Sequence, residues 1–340
     1  MTRSRSLRLA CIIVFFAIVV FLGMACGPTG ISIPELTKAV SLHEWDSMTV
    51  TVFRDIRLPR VLLGITVGAG LAISGAVLQA FFRNPLADPG LIGISSGAAL
   101  GAVIHIRLTT LGFSAVGLAG SFGLPLFAFA AGIITTGLIY LLARLNGRIM
   151  AVTFLLCGIA VNALMGAFIS YLIFQSDDRE LRSITFWMMG SLGFATWKEV
   201  LAVQPLLWAS LVALPWLGKP LNLYILGEVE AEHLGVNVDR LKRWIILLCA
   251  ACVGAGVAVT GMVGFVGLVI PHITRMLLGA DHRWVLPGSA IAGGGFLVFA
   301  DLLARNLTAP VELPLGVITA AFGAPFFIWL IYRERRRIFF

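Results

Sequence analysis

LLGITVGAGLAISGAVLQAFF, residues Leu62 to Phe82, carries no charged side chain and is long enough to cross a bilayer as a helix, which takes about 20 apolar residues. Its central motif, GAGLAISG from Gly68 to Gly75, returns as GAGVAVTG from Gly254 to Gly261. The offset of 186 residues also carries Pro85 onto Pro271. Outward from these two segments, apolar windows fall near 7–26, 58–82, 90–107, 116–143, 149–174, 196–216, 242–263, 266–279, 284–304 and 313–332. Ten spans are therefore expected, in an all-α polytopic membrane protein with one transmembrane domain over residues 1–340. The eighth is short and holds Pro271, so it is expected to be broken or to cross only in part. The second span and the seventh run in opposite directions under this count. The second to fifth and the seventh to tenth spans then form an inverted repeat, an architecture typical of transporters.

Composition agrees. The chain has 340 residues, of which 59% are hydrophobic and 12% charged, with a mean hydropathy of +0.97; this excludes a soluble enzyme, a disordered chain and a nucleic-acid-binding module. The start, MTRSRSLRLA before CIIVFFAIVVFLGMAC, imitates a signal peptide but reads as an uncleaved first span with its arginines inside. On that topology the cytoplasmic segments hold 16 of the 25 basic and seven of the 17 acidic residues, a net +9 inside against −1 outside. Cys11, Cys26, Cys157, Cys249 and Cys252 lie in or beside apolar runs, where buried thiols are the ordinary reading of the Cys249-x-x-Cys252 pair. Two polar segments are long enough to be structured: 27–57 outside, and 217–241 inside with its acidic Glu228, Glu230 and Glu232 followed by Gly235, suited to a helix stop.

GISSG at Gly93–Gly97 matches G-x-S-x-G, which would make Ser95 a nucleophile with His105 or His272 as its base, in an intramembrane serine protease. The surrounding apolar helix and the glycines at 93, 97 and 101 are equally what close helix packing selects. G-x-x-x-x-G-K-[ST] is absent, the one Gly-Lys pair being Gly218-Lys219 before Pro220, so ATP hydrolysis falls to another chain. Ion-coupling groups within spans are few. Asp301 and Arg305, four apart on a helix, read as a structural ion pair.

RLPR at Arg57–Arg60, SGAVLQAFFRNPLADPGLIGISSGAALGA at Ser74–Ala102, WMMGSL at Trp187–Leu192, LGEVEAEHLGV at Leu226–Val236, GFVGLVIPHITRMLLGADHR at Gly264–Arg283 and ELPLGVITAAFGAPFFIWL at Glu312–Leu330 together resemble the permeases of the iron-siderophore, haem and vitamin B12 ABC importers. The resemblance runs from about Arg57 to the end of the chain. It implies a type II importer permease with ten spans per subunit, set among lipid in the bacterial inner membrane with both termini cytoplasmic. It implies as partners a second copy of the chain, two ATP-binding subunits and a periplasmic substrate-binding protein. No cofactor is expected in the chain itself, with ATP and Mg2+ held by the partner subunit, and neither nucleic acid nor a metal site is expected.

Residue by residue, the resemblance assigns Arg57, Arg60 and Arg305 to docking of the binding protein. It assigns Gly227, Glu228, Ala231, His233, Leu234 and Gly235 to the ATPase surface within the coupling segment 217–241, with Gly235 at the turn between two short helices. The translocation pathway is expected along the fifth and tenth spans and the segment after the fifth, with Asn162, Met165, Phe168, Tyr171, Arg179, Arg182, Met188 and Met189 as candidates. Met and aromatic walls with a basic entrance suit haem, a broad apolar macrocycle with two carboxylates. Acids Asp177, Asp178 and Glu180 beside those arginines work against that choice, and ferric siderophores and cobalamin stay open.

Overall fold

The structure, a computed structural model, describes residues 2–27, 34, 48–113, 120–145 and 148–339. Its main helices are α1 (Thr2–Ala25), α2 (Leu58–Phe81), α3 (Ile94–Thr110), α4 (Gly123–Leu142), α5 (Ala151–Phe174), α6 (Asp178–Met189), α7 (Trp197–Ala213), α8 (Gly218–Tyr224), α9 (Glu228–His233), α10 (Val238–Thr260), α11 (Val266–Leu278), α12 (His282–Asn306) and α13 (Leu315–Phe339). A helical turn, Met48–Thr51, and a π-turn, Val52–Arg57, run directly into α2. A two-residue antiparallel pair, Arg144–Leu145 with Arg148–Ile149, joins α4 to α5. Most of the polar segment 27–57 lies outside the described residues.

Eight helical stretches among the described residues are long and apolar enough to cross a membrane. The two remaining expected spans are α3 and α11, of 17 and 13 residues; at 1.5 Å per residue they rise only about 26 and 20 Å, short of a hydrocarbon core of about 30 Å. Pro271 lies inside α11 without interrupting it, so this segment is short rather than broken.

The centre of the bundle is α2. Its apolar window is 89% buried, against 17% for α1 and 28% for each of α4, α5, α7 and α13. Glycine permits this. A Cβ on Gly75 would overlap the carbonyl of Gly267 at the start of α11, and one on Gly68 would overlap that of Gly293 in α12, so helix backbones touch where only Gly fits. The two repeat motifs lie in helices that run in opposite directions: Arg83, just past the end of α2, lies beside Tyr224, where Lys242 from the start of α10 also arrives. The repeat is not exact. α2 continues through Gly75 to Phe81, whereas α10 stops at Gly261, a residue at φ +69.

Candidate functional site

Three regions received candidate residues, and α2 separates two of them. Its 24 residues, about 36 Å of helix, lie between Arg57 and Arg83.

At the Arg57 end the expected docking arginines are buried, with exposures of 5% for Arg57, 7% for Arg60 and 3% for Arg305. Each is used inside the chain. Arg57 donates to the carbonyls of Met24 and Ala25 at 2.9 Å, closing the end of α1. Arg60 donates to both oxygens of Asp301 at 2.8–3.0 Å and to both of Glu312 at 2.8 Å. Arg305 donates to Gly23 O at 2.6 Å and lies 3.6 Å from Asp301, the ion pair its four-residue spacing predicts. The guanidinium of Arg60 holds the Glu312 carboxyl below the usual carboxylate range. Glu312 is the accessible member, its side chain 36% exposed. The exposed groups at this end are others: Lys198, Phe194, Leu307 and Val311. Arg54 is exposed beside Asp55, and its carbonyl accepts from the Trp197 indole.

At the opposite end, Gly227 at φ +155 precedes α9, and α9 closes on Gly235 at φ +87. Gly235 N–H donates to Glu232 O and Val236 N–H to Ala231 O, a Schellman closure in which a left-handed glycine satisfies the last carbonyls. The turn between the two short helices α8 and α9 therefore falls at 225–227, not at Gly235, which separates α9 from α10. Ala231 is fully buried, while His233 and Leu234 are exposed. Ile225, Leu226 and Val229 are exposed apolar side chains, as is Leu234. Glu228 accepts from Lys242 Nζ at 2.6 Å and from Tyr224 Oη at 3.1 Å.

The third region is the outer face of α5 and α6. Asn162 donates to Gly90 O and accepts from Ser96 Oγ, and Met165 is buried in the core. The structure thus turns these two inward, a correction to a helix face assigned from sequence: Asn162 locks α5 to the turn that starts α3. Phe168, Tyr171, Arg179, Arg182 and Met189 are exposed, and Met188 is half-buried. On α6, Asp178, Leu181, Arg182, Thr185, Phe186 and Met189 line a hollow of about 390 Å³. The acids near those arginines are differently employed. Asp177 caps α6 by accepting from Glu180 N–H, and Glu180 is buried, 3.8 Å from Arg107 of α3. Only Asp178 remains on the hollow with Arg182. The end of α6 is pinned by Ser191 N–H on Thr260 O and Leu315 N–H on Gly190 O, so it bridges the ends of α10 and α13.

Ser95 and His105 share α3 ten residues apart, about 15 Å along the helix, far beyond the hydrogen-bond reach a nucleophile and base need. The rings of His105 and His272 pack on Phe127 and Phe326. Cys249 and Cys252 are buried free thiols. No group of three or more candidate metal ligands occurs among the described residues.

Residues 14–333 match the model of the FecCD transport family. The chain is 46% identical over 286 residues to the hemin transport system permease protein HmuU of Yersinia pestis, covering 84% of each chain. It is 41% identical over 327 residues to the cobalamin import system permease protein BtuC of Halobacterium salinarum, covering 91% of this chain and 85% of that one. Among solved structures it is similar to an inward-facing metal-chelate type ABC transporter, with a TM-score of 0.83 and 33% identity over 96% of this chain and 98% of the other.

Proposed function

The chain belongs to the FecCD transport family and is an ABC importer permease, and from that premise we propose that it carries haem from the periplasm to the cytoplasm. Permeases of this kind work with a separate ATPase subunit and a substrate-binding protein. In this reading two copies of the chain, with both termini cytoplasmic, flank a pathway whose walls include the exposed faces of α5 and α6, and ATP with Mg2+ is held by the partner. The observation that carries the choice of substrate is the α6 hollow, where Arg182 stands with Phe186 and Met189. A guanidinium matches a propionate carboxylate, and aromatic and thioether groups match a flat macrocycle. Glu180 is buried and Asp177 is turned to capping α6, so Asp178 is the one acid that faces Arg182 on the hollow. The likeness to a cobalamin permease over nearly the same length keeps a corrinoid as the second reading; a ferric siderophore is the third.

The exposed apolar side chains Ile225, Leu226, Val229 and Leu234 are of the kind an amphipathic helix inserts into a partner groove, and we assign them to the ATPase contact. Docking of the binding protein belongs to the Arg57 end, where Arg57, Arg60 and Arg305 would act as the frame of the surface; Arg60 would meet an incoming carboxylate only as Glu312 swings aside. The test is uptake by proteoliposomes containing the chain, its ATPase and the binding protein, offered haemin, cyanocobalamin and a ferric hydroxamate in turn. Haemin uptake dependent on ATP is expected; uptake of cyanocobalamin alone would replace haem with the corrinoid.

A further inference from the structure

Lys242 sits in the second turn of α10 with its side chain 2% exposed, an unusual place for an ammonium group. Its Nζ makes two short hydrogen bonds: 2.6 Å to Oε2 of Glu228, the first residue of α9, and 2.7 Å to the main-chain oxygen of Ile149. The ring of Tyr224 closes a third side, its centroid 6.0 Å from Nζ, and Tyr224 Oη donates to the other Glu228 oxygen at 3.1 Å. Arg83, just past the end of α2, donates to Tyr224 O at 2.7 Å and lies over the same ring at 4.9 Å.

Ile149 is what gives this cluster direction. It pairs with Arg144 in the short antiparallel connection that ends α4, and one residue later Met150 caps α5. A charge-assisted bond of this length is strong, and parting a buried ammonium from its carboxylate is costly. When Glu228 moves with α9, it is therefore cheaper for Lys242, and the chain held at Ile149, to follow than for the pair to separate. The Glu228 side chain is itself 42% exposed, so it can be moved from outside the bundle.

We infer that Lys242 is a positioning residue that carries displacement of the coupling helix α9 to the start of α5, the helix that lines the proposed pathway. This rests on reading residues 217–241 as the ATPase contact. Lys242 touches neither substrate nor nucleotide; it acts through Glu228 on one side and the Ile149 carbonyl on the other.

The experiment uses the assembled complex in proteoliposomes and measures haemin or cyanocobalamin taken up, whichever the wild type moves, per ATP hydrolysed. Lys242→Met should retain the ATPase subunits through purification while that ratio falls about tenfold, within the usual range of coupling between sites. Lys242→Arg, which keeps the charge and the donors, should recover most of it. Glu228→Gln added to Lys242→Met should cost nothing further, since both remove one link. A spin label at Val152, exposed in the first turn of α5, reads the motion directly, with Cys11, Cys26 and Cys157 replaced. Its spectrum should change when ATP and Mg2+ are added to the wild-type background and stay unchanged in Lys242→Met. Glu228→Gln alone, at a half-exposed position that water can reach, gives the same measurement if Lys242→Met is recovered poorly. An unchanged ratio and a responsive label in an assembled Lys242→Met complex would overturn the inference and leave the coupling segment standing. Loss of the ATPase from that complex would overturn it too, by making Lys242 a support of the contact surface. Undiminished ATPase retention by a full-length chain carrying Leu226→Glu and Leu234→Glu, both at exposed positions, would remove the reading on which the inference rests.

Discussion

Asp301 is the perturbation that tests the ion cluster at the Arg57 end most sharply. Its carboxylate is 1% exposed, accepts three hydrogen bonds from Arg60 and is 3.6 Å from Arg305. Asp301→Ala leaves the guanidinium groups of Arg57, Arg60 and Arg305 buried with one carboxylate, Glu312, between them. Removing one partner of a buried pair typically costs about 3–5 kcal/mol. Asp301→Asn keeps one acceptor oxygen, and a hydrogen bond to a charged group is worth about 1.5–3 kcal/mol, so it should lose roughly half as much. At roughly 2 °C per kcal/mol for a chain of this size, Asp301→Ala should lower the unfolding midpoint by roughly 6–10 °C. The structure supplies its own probe. Cys249 and Cys252 are buried and become reactive to a thiol-sensitive fluorophore on unfolding, in a chain with the exposed Cys11 and Cys26 and the half-exposed Cys157 replaced by serine and heated at one fixed scan rate. The decisive comparison is Arg60→Met with Asp301→Leu. Replacing a buried pair by apolar side chains is often neutral, so the double variant should regain at least half of what Asp301→Ala loses. If the single variant melts within 1 °C of the parent, or the two double-variant changes simply add, the cluster does not hold α1, α2 and α12 together.

Gly235 stands at φ +87 with open space where a Cβ would go, so the obstacle to a side chain is backbone strain of about 1–2 kcal/mol. Gly235→Val should therefore weaken retention of the ATPase on affinity purification, and Gly235→Asn, which tolerates that region, should not. Gly75→Ala has no such latitude, because its methyl group would meet the Gly267 carbonyl; detergent extraction should yield aggregated rather than monodisperse protein on gel filtration. Lys198→Glu, an exposed change at the docking end, should slow capture of the binding protein at low salt and matter little at high salt, as read by surface-captured complex. A cysteine at Arg240 should stay unlabelled by a membrane-impermeant maleimide in intact cells while one at Lys198 is labelled; the reverse pattern would invert the topology.

Local order made much of the bundle legible. Each helix satisfies its own backbone hydrogen bonds, and a lipid-facing or centrally buried helix needs only a run of apolar residues, so the runs containing Leu62–Phe82 and Trp244–Val259 announce α2 and α10 without any partner. The repeat of GAGLAISG as GAGVAVTG likewise pointed to two helices of opposite direction. Even the stop at the end of α9 was visible, because left-handed backbone is a property of Gly235 itself.

Tertiary structure decided which polar groups face one another. Arg60 meets Asp301 and Glu312 across 241 and 252 residues of chain, and neither distance has a local signature. An arginine at the mouth of a span looks the same in sequence whether it serves a partner or a buried carboxylate. For the same reason Asn162 and Met165 read as lining from their place on α5, while contact with α3 and its entering turn turned them inward, and Glu180 passed for a surface acid until Arg107 was beside it. Lys242 gave no signal at all. One ammonium at the start of an apolar helix becomes meaningful only when folding brings Glu228 and the Ile149 carbonyl to it, because hydrophobic patterning fixes which residues leave water and the packed geometry fixes how the charges among them are satisfied.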